Sequence, residues 1–240
     1  YHAAVKSFYS QCPEAGSWDY RSQQKWLMQR CFGTFDAWDV ALRAAGHESE
    51  TIVANCEPLQ HAWAGENQCC TVTGDMVLAQ IISYRPDVVC CQNVNRYPAS
   101  FFSPLTYQDR VPKIVAFCSY AADRGSLLGW DVVFTSFPWA VEEWRSVGVN
   151  VHYLPLAFGK HVLQRVALPY DRDIVVSFVG GLGYRHIWNS GQDAITAVAK
   201  ALGSRFKWAG YGNGPDSAEL ASCWIGECWG HEYFRTLARS

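Results

Sequence analysis

The chain has 240 residues, of which 49% are hydrophobic and 18% charged, and its net charge is −2. This length is sufficient for one large domain or two small ones with a real core. Basic residues are scattered, which argues against a nucleic-acid surface, and no apolar run approaches the roughly 20 residues of a membrane span.

The ten cysteines indicate free thiols rather than a zinc site or a disulfide scaffold. No Cys-x-x-Cys pair occurs, so no zinc knuckle is indicated. Cys90, Cys91 and Cys118 lie inside apolar runs, where free cysteine behaves as a small hydrophobe. The alternatives are a disulfide between Cys223 and Cys228 and a functional use of the adjacent Cys69 and Cys70. We therefore expect reduced, mostly buried thiols, no bound metal and a cytoplasmic location.

Short apolar runs alternate with helical patterns along the chain. The predicted strands are Glu50–Cys56, Val88–Asn93, Lys113–Ser119, Val132–Ser136, Val151–Pro155, Ile174–Gly180 and Arg205–Gly210. The predicted helices are Arg21–Ala45, Gly74–Tyr84, Trp139–Val147, Gly191–Leu202 and Trp229–Ala238. The strands are nearly continuous in Val, Ile, Phe and Cys, which is typical of a parallel sheet buried on both faces. The alternation predicts a Rossmann-like, doubly wound α/β fold.

Three glycines punctuate this pattern. Gly46, Gly148 and Gly203 each follow a predicted helical stretch. Glycine at that position adopts the left-handed backbone that ends many helices. We therefore interpret all three as helix C-caps.

A domain boundary is predicted near residue 158. The segment between Leu156 and Arg172 breaks the strand–helix rhythm, with Pro155 and Pro169 near its ends. We predict a first domain over 1–158, a linker over 159–172 and the beginning of a second Rossmann-like domain over 173–240. Two or three strands are too few for a complete doubly wound sheet, so we expect the second domain to be incomplete and the chain truncated.

A glycine turn opens the second domain. An apolar strand runs into Gly180, Gly181 and Gly183, and a helix is predicted from about Trp188. Bare backbone N–H groups at a helix N-terminus suit a phosphate or diphosphate. Arg185 and His186 stand beside the turn, where they neutralise phosphate charge or simply face solvent. A tight strand-to-helix turn without a ligand is the alternative.

The turn is a poor match to the patterns of common nucleotide cofactors. His186 occupies the third glycine position of the dinucleotide fingerprint, and the strand Arg205–Gly210 does not end in an acidic residue. No Gly-Lys-Ser/Thr follows, which excludes a P-loop. We therefore expect no nicotinamide or flavin cofactor.

Polar residues follow several predicted strands. In open α/β sheets, ligands bind at the carboxyl ends of the strands. The candidates for binding a ligand hydroxyl there are Asn93, Asn95, Ser119, Tyr120 and Ser136. Each is also compatible with a turn or helix cap, and Ser136 before Phe-Pro is a credible N-cap. By position alone, Glu57, His61 and Asp123 are candidates for a general base.

Six short motifs carry a family resemblance, and they are Ala41–Glu48, Trp130–Pro138, Val141–Gly148, Tyr153–Phe158, Ser177–Gly183 and Trp229–Gly230. Their order and spacing resemble a GT-B glycosyltransferase of the spore-maturation-protein-like (CgeB-type) branch. No piece is specific by itself, and together they extend over most of the chain. The match does not extend to the later C-terminal part, which carries most nucleotide and sugar contacts in that family.

The resemblance implies two Rossmann-like domains that face a cleft. The first would bind the acceptor, through the polar residues at its strand ends. The second would bind a nucleotide-sugar, whose diphosphate would lie on Gly180, Gly181 and Gly183. Such enzymes generally need no catalytic metal. A non-catalytic α/β module that binds a small ligand and a nucleotide-dependent oxidoreductase are the alternatives.

Overall fold

The computed structural model describes residues 2–32, 36–69, 73–107, 111–167, 171–182, 185–211 and 214–240, with the backbone alone for 73–75, 106–107 and 185–190. The α-helices are α1 His2–Gln11, α2 Tyr20–Met28, α3 Ala37–Ala44, α4 Glu57–Glu66, α5 Thr73–Tyr84, α6 Pro138–Ser146, α7 His161–Arg165, α8 Arg185–Leu202, α9 Ala218–Cys223 and α10 His231–Ala238. The strands are β1 Val88–Cys91, β2 Lys113–Phe117, β3 Val132–Thr135, β4 Val151–Tyr153, β5 Val176–Val179 and β6 Phe206–Ala209. Short 3₁₀ helices cover Pro13–Ser17, Ala99–Tyr107, Arg124–Leu127 and Gly203–Arg205. The protein is therefore a mixed α/β protein.

The chain forms two compact units. One, the sheet unit, comprises Ile52–Phe158, and the other, the split unit, comprises Tyr1–Thr51 and Gly159–Ser240. The break after residue 158 coincides with the end of the predicted first domain. Residues 1–51 were predicted in that same domain, whereas the structure groups them with 159–240.

The sheet unit contains a four-stranded parallel sheet in the order β1-β2-β3-β4. Cys91, Ala116, Val133 and Val151 are aligned across the four strands, and all four are buried. Residues aligned in a parallel sheet share one face, so this row marks the face that is packed on the core. Val77 and Ile81 of α5 and Ala140 and Trp144 of α6 belong to the same core.

The prediction of a doubly wound sheet is not met by the described strands. Their order runs in one direction, without the reversal that defines a doubly wound sheet. The predicted first strand, Glu50–Cys56, is wrong, because this segment is a loop that leads into α4. The Val53 carbonyl accepts from the Cys56 N–H at 3.1 Å and from the Gln60 side-chain amide at 3.2 Å. These bonds form a turn and not the hydrogen-bond ladder between two strands.

The long predicted helix Arg21–Ala45 is also wrong. α2 ends at Met28. Cys31 has a φ of +55°, so a right-handed helix cannot continue through it. The C-cap predictions are confirmed, since Gly46, Gly148 and Gly203 have φ values of +88°, +89° and +53°.

The split unit contains a second parallel pair, in which β5 lies beside β6. Phe206 and Trp208 of β6 are each 1% exposed and pack with Ala199 of α8 and Leu220 of α9. The Ile174 N–H donates to the Arg239 carbonyl at 3.0 Å, which ties the entry of β5 to the end of α10.

The described cysteines, which are all except Cys70, are free thiols. The alternative disulfide between Cys223 and Cys228 is therefore wrong. The Cys223 thiol donates to the Gly203 carbonyl, and the Cys228 thiol is hydrogen-bonded to the Thr236 hydroxyl. Most of these thiols are buried, although Cys90 is exposed. None of the described helices is both long and apolar enough to span a membrane.

Candidate functional site

The carboxyl ends of β1, β2 and β3 form one edge of the sheet unit, and the five predicted ligand-binding residues follow these strands. Two of them are brought into direct contact. The Ser136 hydroxyl and the Ser136 N–H both donate to the Ser119 hydroxyl oxygen, at 2.8 and 2.9 Å. The interpretation of Ser136 as a helix N-cap is wrong, because Phe137 occupies that position and its N–H donates to the Thr135 hydroxyl.

Tyr120 is tied to the neighbouring loop. Its phenol oxygen accepts from the Val94 N–H at 2.8 Å. Burial, together with the nearby Cys118 thiol, raises the pKa of Tyr120 to about 12. The phenol is therefore protonated at neutral pH, and its O–H proton can be donated to a ligand.

The amides at this edge hold the loops. The Asn95 carbonyl oxygen accepts from the Asp123 N–H at 3.3 Å, and its amide donates to the Ala121 carbonyl at 3.5 Å. The Asn93 carbonyl oxygen accepts from the Arg96 N–H at 3.1 Å. The turn interpretation of both residues is therefore supported, and Asn95 and Asp123 are brought together.

The three candidates for a general base do not form one group. Glu57 and His61 are exposed and lie one turn apart on α4, whereas Asp123 precedes the 3₁₀ helix that follows β2. Across the described ranges, no hydrogen bond or ion pair joins Glu57 or His61 to the sheet edge. A general base at any of these positions stays a prediction.

The glycine turn of the split unit joins β5 to α8, in the predicted order of strand, turn and helix. Gly183 lies outside the described residues, and so do the side chains of Arg185 and His186. The Gly180 N–H donates to the Ala209 carbonyl at 3.0 Å, and the Gly180 carbonyl accepts from the Trp208 indole at 2.9 Å. The backbone of Gly180 is therefore used within the protein and not by a ligand.

Gly181 and Leu182 present the backbone donors of the turn. Within the part of the chain that the structure describes, neither N–H has an acceptor. A Cβ at Gly181 would lie 3.0 Å from the Tyr211 ring and 3.1 Å from the Tyr211 carbonyl oxygen. Glycine at 181 thus lets the loop after β6 pack closely on the turn.

Tyr211 is part of an aromatic pair beside the turn. Its ring stacks on Trp229, with 4.9 Å between the centroids and an angle of 29° between the planes, and Tyr211 is 39% exposed. The Trp229 indole donates to the Glu227 carboxylate at 3.1 Å, and this bond holds the Trp229 ring in place. Sequence reasoning missed Tyr211, although the glycines at 210, 212 and 214 around it resemble those of the first turn.

The end of β6 bears on the dinucleotide alternative. A carboxylate that holds a ribose would follow this strand, but Gly210 and Tyr211 occupy these positions. Among the residues that the structure describes, no three His, Cys, Asp or Glu side chains come together as a metal site.

Comparison with protein-family models, with curated proteins and with solved structures found no match to this chain.

Proposed function

We propose that the chain carries the donor and acceptor sites of a GT-B-type glycosyltransferase, which moves a sugar from a nucleotide-sugar to an acceptor hydroxyl. The observation that supports this proposal best is the pair of backbone donors at Gly181 and Leu182. They precede the 18-residue helix α8 and have no acceptor in the described ranges. A diphosphate gains hydrogen bonds and the favourable helix dipole at such a place.

The same groups would assist the chemistry. As the bond between the sugar and the nucleotide breaks, negative charge grows on the diphosphate, and fixed N–H donors stabilise it. Tyr211 offers an exposed aromatic ring beside these donors, on which a base or a sugar can stack. The donor would thus occupy the turn between β5 and α8.

The acceptor would bind at the carboxyl edge of the sheet unit. Ser119 and Ser136 share one hydrogen bond between their hydroxyls, and the Tyr120 phenol is protonated at neutral pH. These groups can donate to, and accept from, an acceptor hydroxyl. Asp123, held by its N–H on Asn95, is the candidate base nearest in sequence to them.

A non-catalytic module that binds a small ligand is the second candidate. It is favoured by the local hydrogen bonds that Asn93 and Asn95 make to their own loops. Such side chains already hold the loops, which leaves fewer of them to act on an acceptor.

A thermal-shift panel separates the candidates. UDP-, GDP- and TDP-sugars are compared with NAD and NADP at equal concentration, because a ligand that binds the folded state raises the melting temperature. A rise with one nucleotide-sugar and none with NAD or NADP supports the glycosyltransferase. A rise only with NAD or NADP contradicts it, and a bound nucleotide-sugar without sugar transfer to any acceptor favours the binding module.

A further inference from the structure

A cleft of about 290 Å³ opens in the helical part of the split unit. It lies among α2, α3, α7 and the segment that ends at Thr51. Its lining residues are Arg21, Gln24, Lys25, Met28, Gln29, Asp39, Arg43, Glu50, Thr51 and Arg165. This volume is close to the lower end of the roughly 300–1,000 Å³ of ligand pockets, so a small molecule fits.

Helical spacing explains why one wall is polar. Arg21, Gln24, Lys25 and Met28 follow one another at intervals of three, one and three residues along α2. Residues three or four apart lie on the same face of a helix. The basic and amide side chains of α2 are therefore presented together to the cleft.

Three of the four cations that line the cleft already have a carboxylate partner. The ion pairs are Arg21–Glu50 at 2.6 Å, Arg43–Asp39 at 2.8 Å and Arg165–Asp36. Lys25 has no ion pair or hydrogen bond from its side chain within the described ranges. The cleft thus contains one cation whose charge is not balanced.

Arg165 adds a second positive side chain to the lining, although one of its nitrogens is paired with Asp36. Its bonds to Asp36 and to the Met28 carbonyl both come from Nη1. The Asp36 side chain is 8% exposed and also contacts His161 Nε2 at 3.1 Å. The buried Asp36 thereby fixes the guanidinium at the cleft.

The rest of the lining suits hydroxyl groups. Glu50 is held in place by the Gln24 amide at 2.6 Å and by Arg21, and its side chain is 14% exposed. A carboxylate accepts hydrogen bonds from hydroxyls, and the Gln29 amide can both donate and accept. A cleft that combines an unpaired positive charge with fixed hydrogen-bond acceptors suits a ligand that carries both an oxyanion and hydroxyls.

We propose that this cleft binds a small hydroxylated oxyanion, with its phosphate or carboxylate on Lys25 and Arg165 and its hydroxyls on Glu50 and Gln29. The site is separate from the glycine turn and does not depend on the glycosyltransferase proposal. Arginine and lysine bind both kinds of oxyanion through charge-assisted hydrogen bonds.

The test is titration calorimetry with glucose 6-phosphate, gluconate and glucose. We expect one of the two anions to bind and neutral glucose not to bind. The anion that binds more tightly identifies the oxyanion. Because the attraction is electrostatic, raising the salt concentration should weaken binding. Absence of binding by both anions, or equal binding of glucose, would overturn the proposal.

Variants assign the binding to Lys25. Lys25→Met keeps the length of the side chain and removes its charge, and it should weaken binding about tenfold, whereas Lys25→Arg should restore it. Lys200→Met is the matched control, because Lys200 is an exposed lysine of α8 outside the cleft. Gly181→Ala should leave the affinity for the anion unchanged. Wild-type affinity in folded Lys25→Met, or an equal loss in Lys200→Met, would contradict the site.

Discussion

At the scale of the residue, Tyr120 connects burial to chemistry. The strand pattern predicts the carboxyl edge of a parallel sheet, and it places Tyr120 there because Tyr120 follows the predicted strand Lys113–Ser119. Its bond to the Val94 N–H was not predictable, because it joins residues 26 positions apart in two loops. Side-chain geometry of this kind depends on how the loops pack, which apolar periodicity does not encode.

Replacing Tyr120 by Phe should destabilise the protein at neutral pH. The change removes the acceptor of the Val94 N–H, and a buried donor without a partner costs about 1–3 kcal/mol. Urea unfolding at pH 7 measures this difference in the free energy of unfolding. Ser100→Ala is the control, since Ser100 is exposed on the 3₁₀ helix that follows β1.

The pKa of Tyr120 predicts a fall in stability at high pH. The phenol ionises near pH 10 in the unfolded chain and near pH 12 in the folded protein. Between these values the unfolded state releases the proton first, so stability is complete below about pH 10 and decreases toward pH 12. Subtracting the ultraviolet absorbance titration of folded Tyr120→Phe from that of the wild type isolates the ionisation of this phenol. A transition near pH 10 in this difference curve would contradict the raised pKa of Tyr120 and the burial that causes it.

At the scale of the element, the glycines of the β5–β6 pair are explained by the aromatic rings around them. A Cβ at Gly180 would lie 2.9 Å from the Phe178 ring, and a Cβ at Gly210 would collide with the Trp208 indole. The order of strand, glycine turn and helix was predictable from composition. The sequence pattern could not predict that the Phe178 and Trp208 rings pack against the glycines two residues later, because a pattern does not give side-chain rotamers. Glu50–Cys56 is mispredicted as a strand because Val53 and Cys56, which give it its apolar character, are buried from a loop.

Gly210→Ala should destabilise the split unit. The added methyl group meets the Trp208 indole, which is 1% exposed and hydrogen-bonded to Gly180, so it has little room to move. Overpacking of this kind costs about 1–3 kcal/mol. Gly16→Ala is the matched control, because a Cβ there meets nothing within 4 Å. Denaturant unfolding that gives equal stabilities for both variants would contradict this packing.

At the scale of the whole molecule, the split unit is built from two distant parts of the chain. The Arg165 guanidinium donates to the Met28 carbonyl at 3.1 Å, and His231 contacts the Gln29 carbonyl at 2.6 Å. The sequence predicted the break after residue 158 from its irregular composition. It did not predict the return of residues 1–51 to this unit, because such long-range contacts leave no local pattern.

Limited proteolysis tests this organisation. Leu156 and Phe158 are 70% and 54% exposed and precede the break, so chymotrypsin should cleave there. Because the split unit needs both parts, the fragments should elute together on gel filtration in native buffer and separate in denaturant. Fragments that separate in native buffer would contradict the split unit.

Titration calorimetry with the nucleotide-sugar selected by the thermal-shift panel tests whether the glycine turn is the donor site. Gly181→Ala places a methyl group 3.0–3.1 Å from Tyr211 and should weaken binding about tenfold, because both the turn and the ring must shift. Gly65→Ala, where a Cβ meets nothing within 4 Å, should bind as the wild type does. A nucleotide-sugar that binds the wild type and folded Gly181→Ala with equal affinity, or no binding of any nucleotide-sugar, would contradict a donor site at the turn.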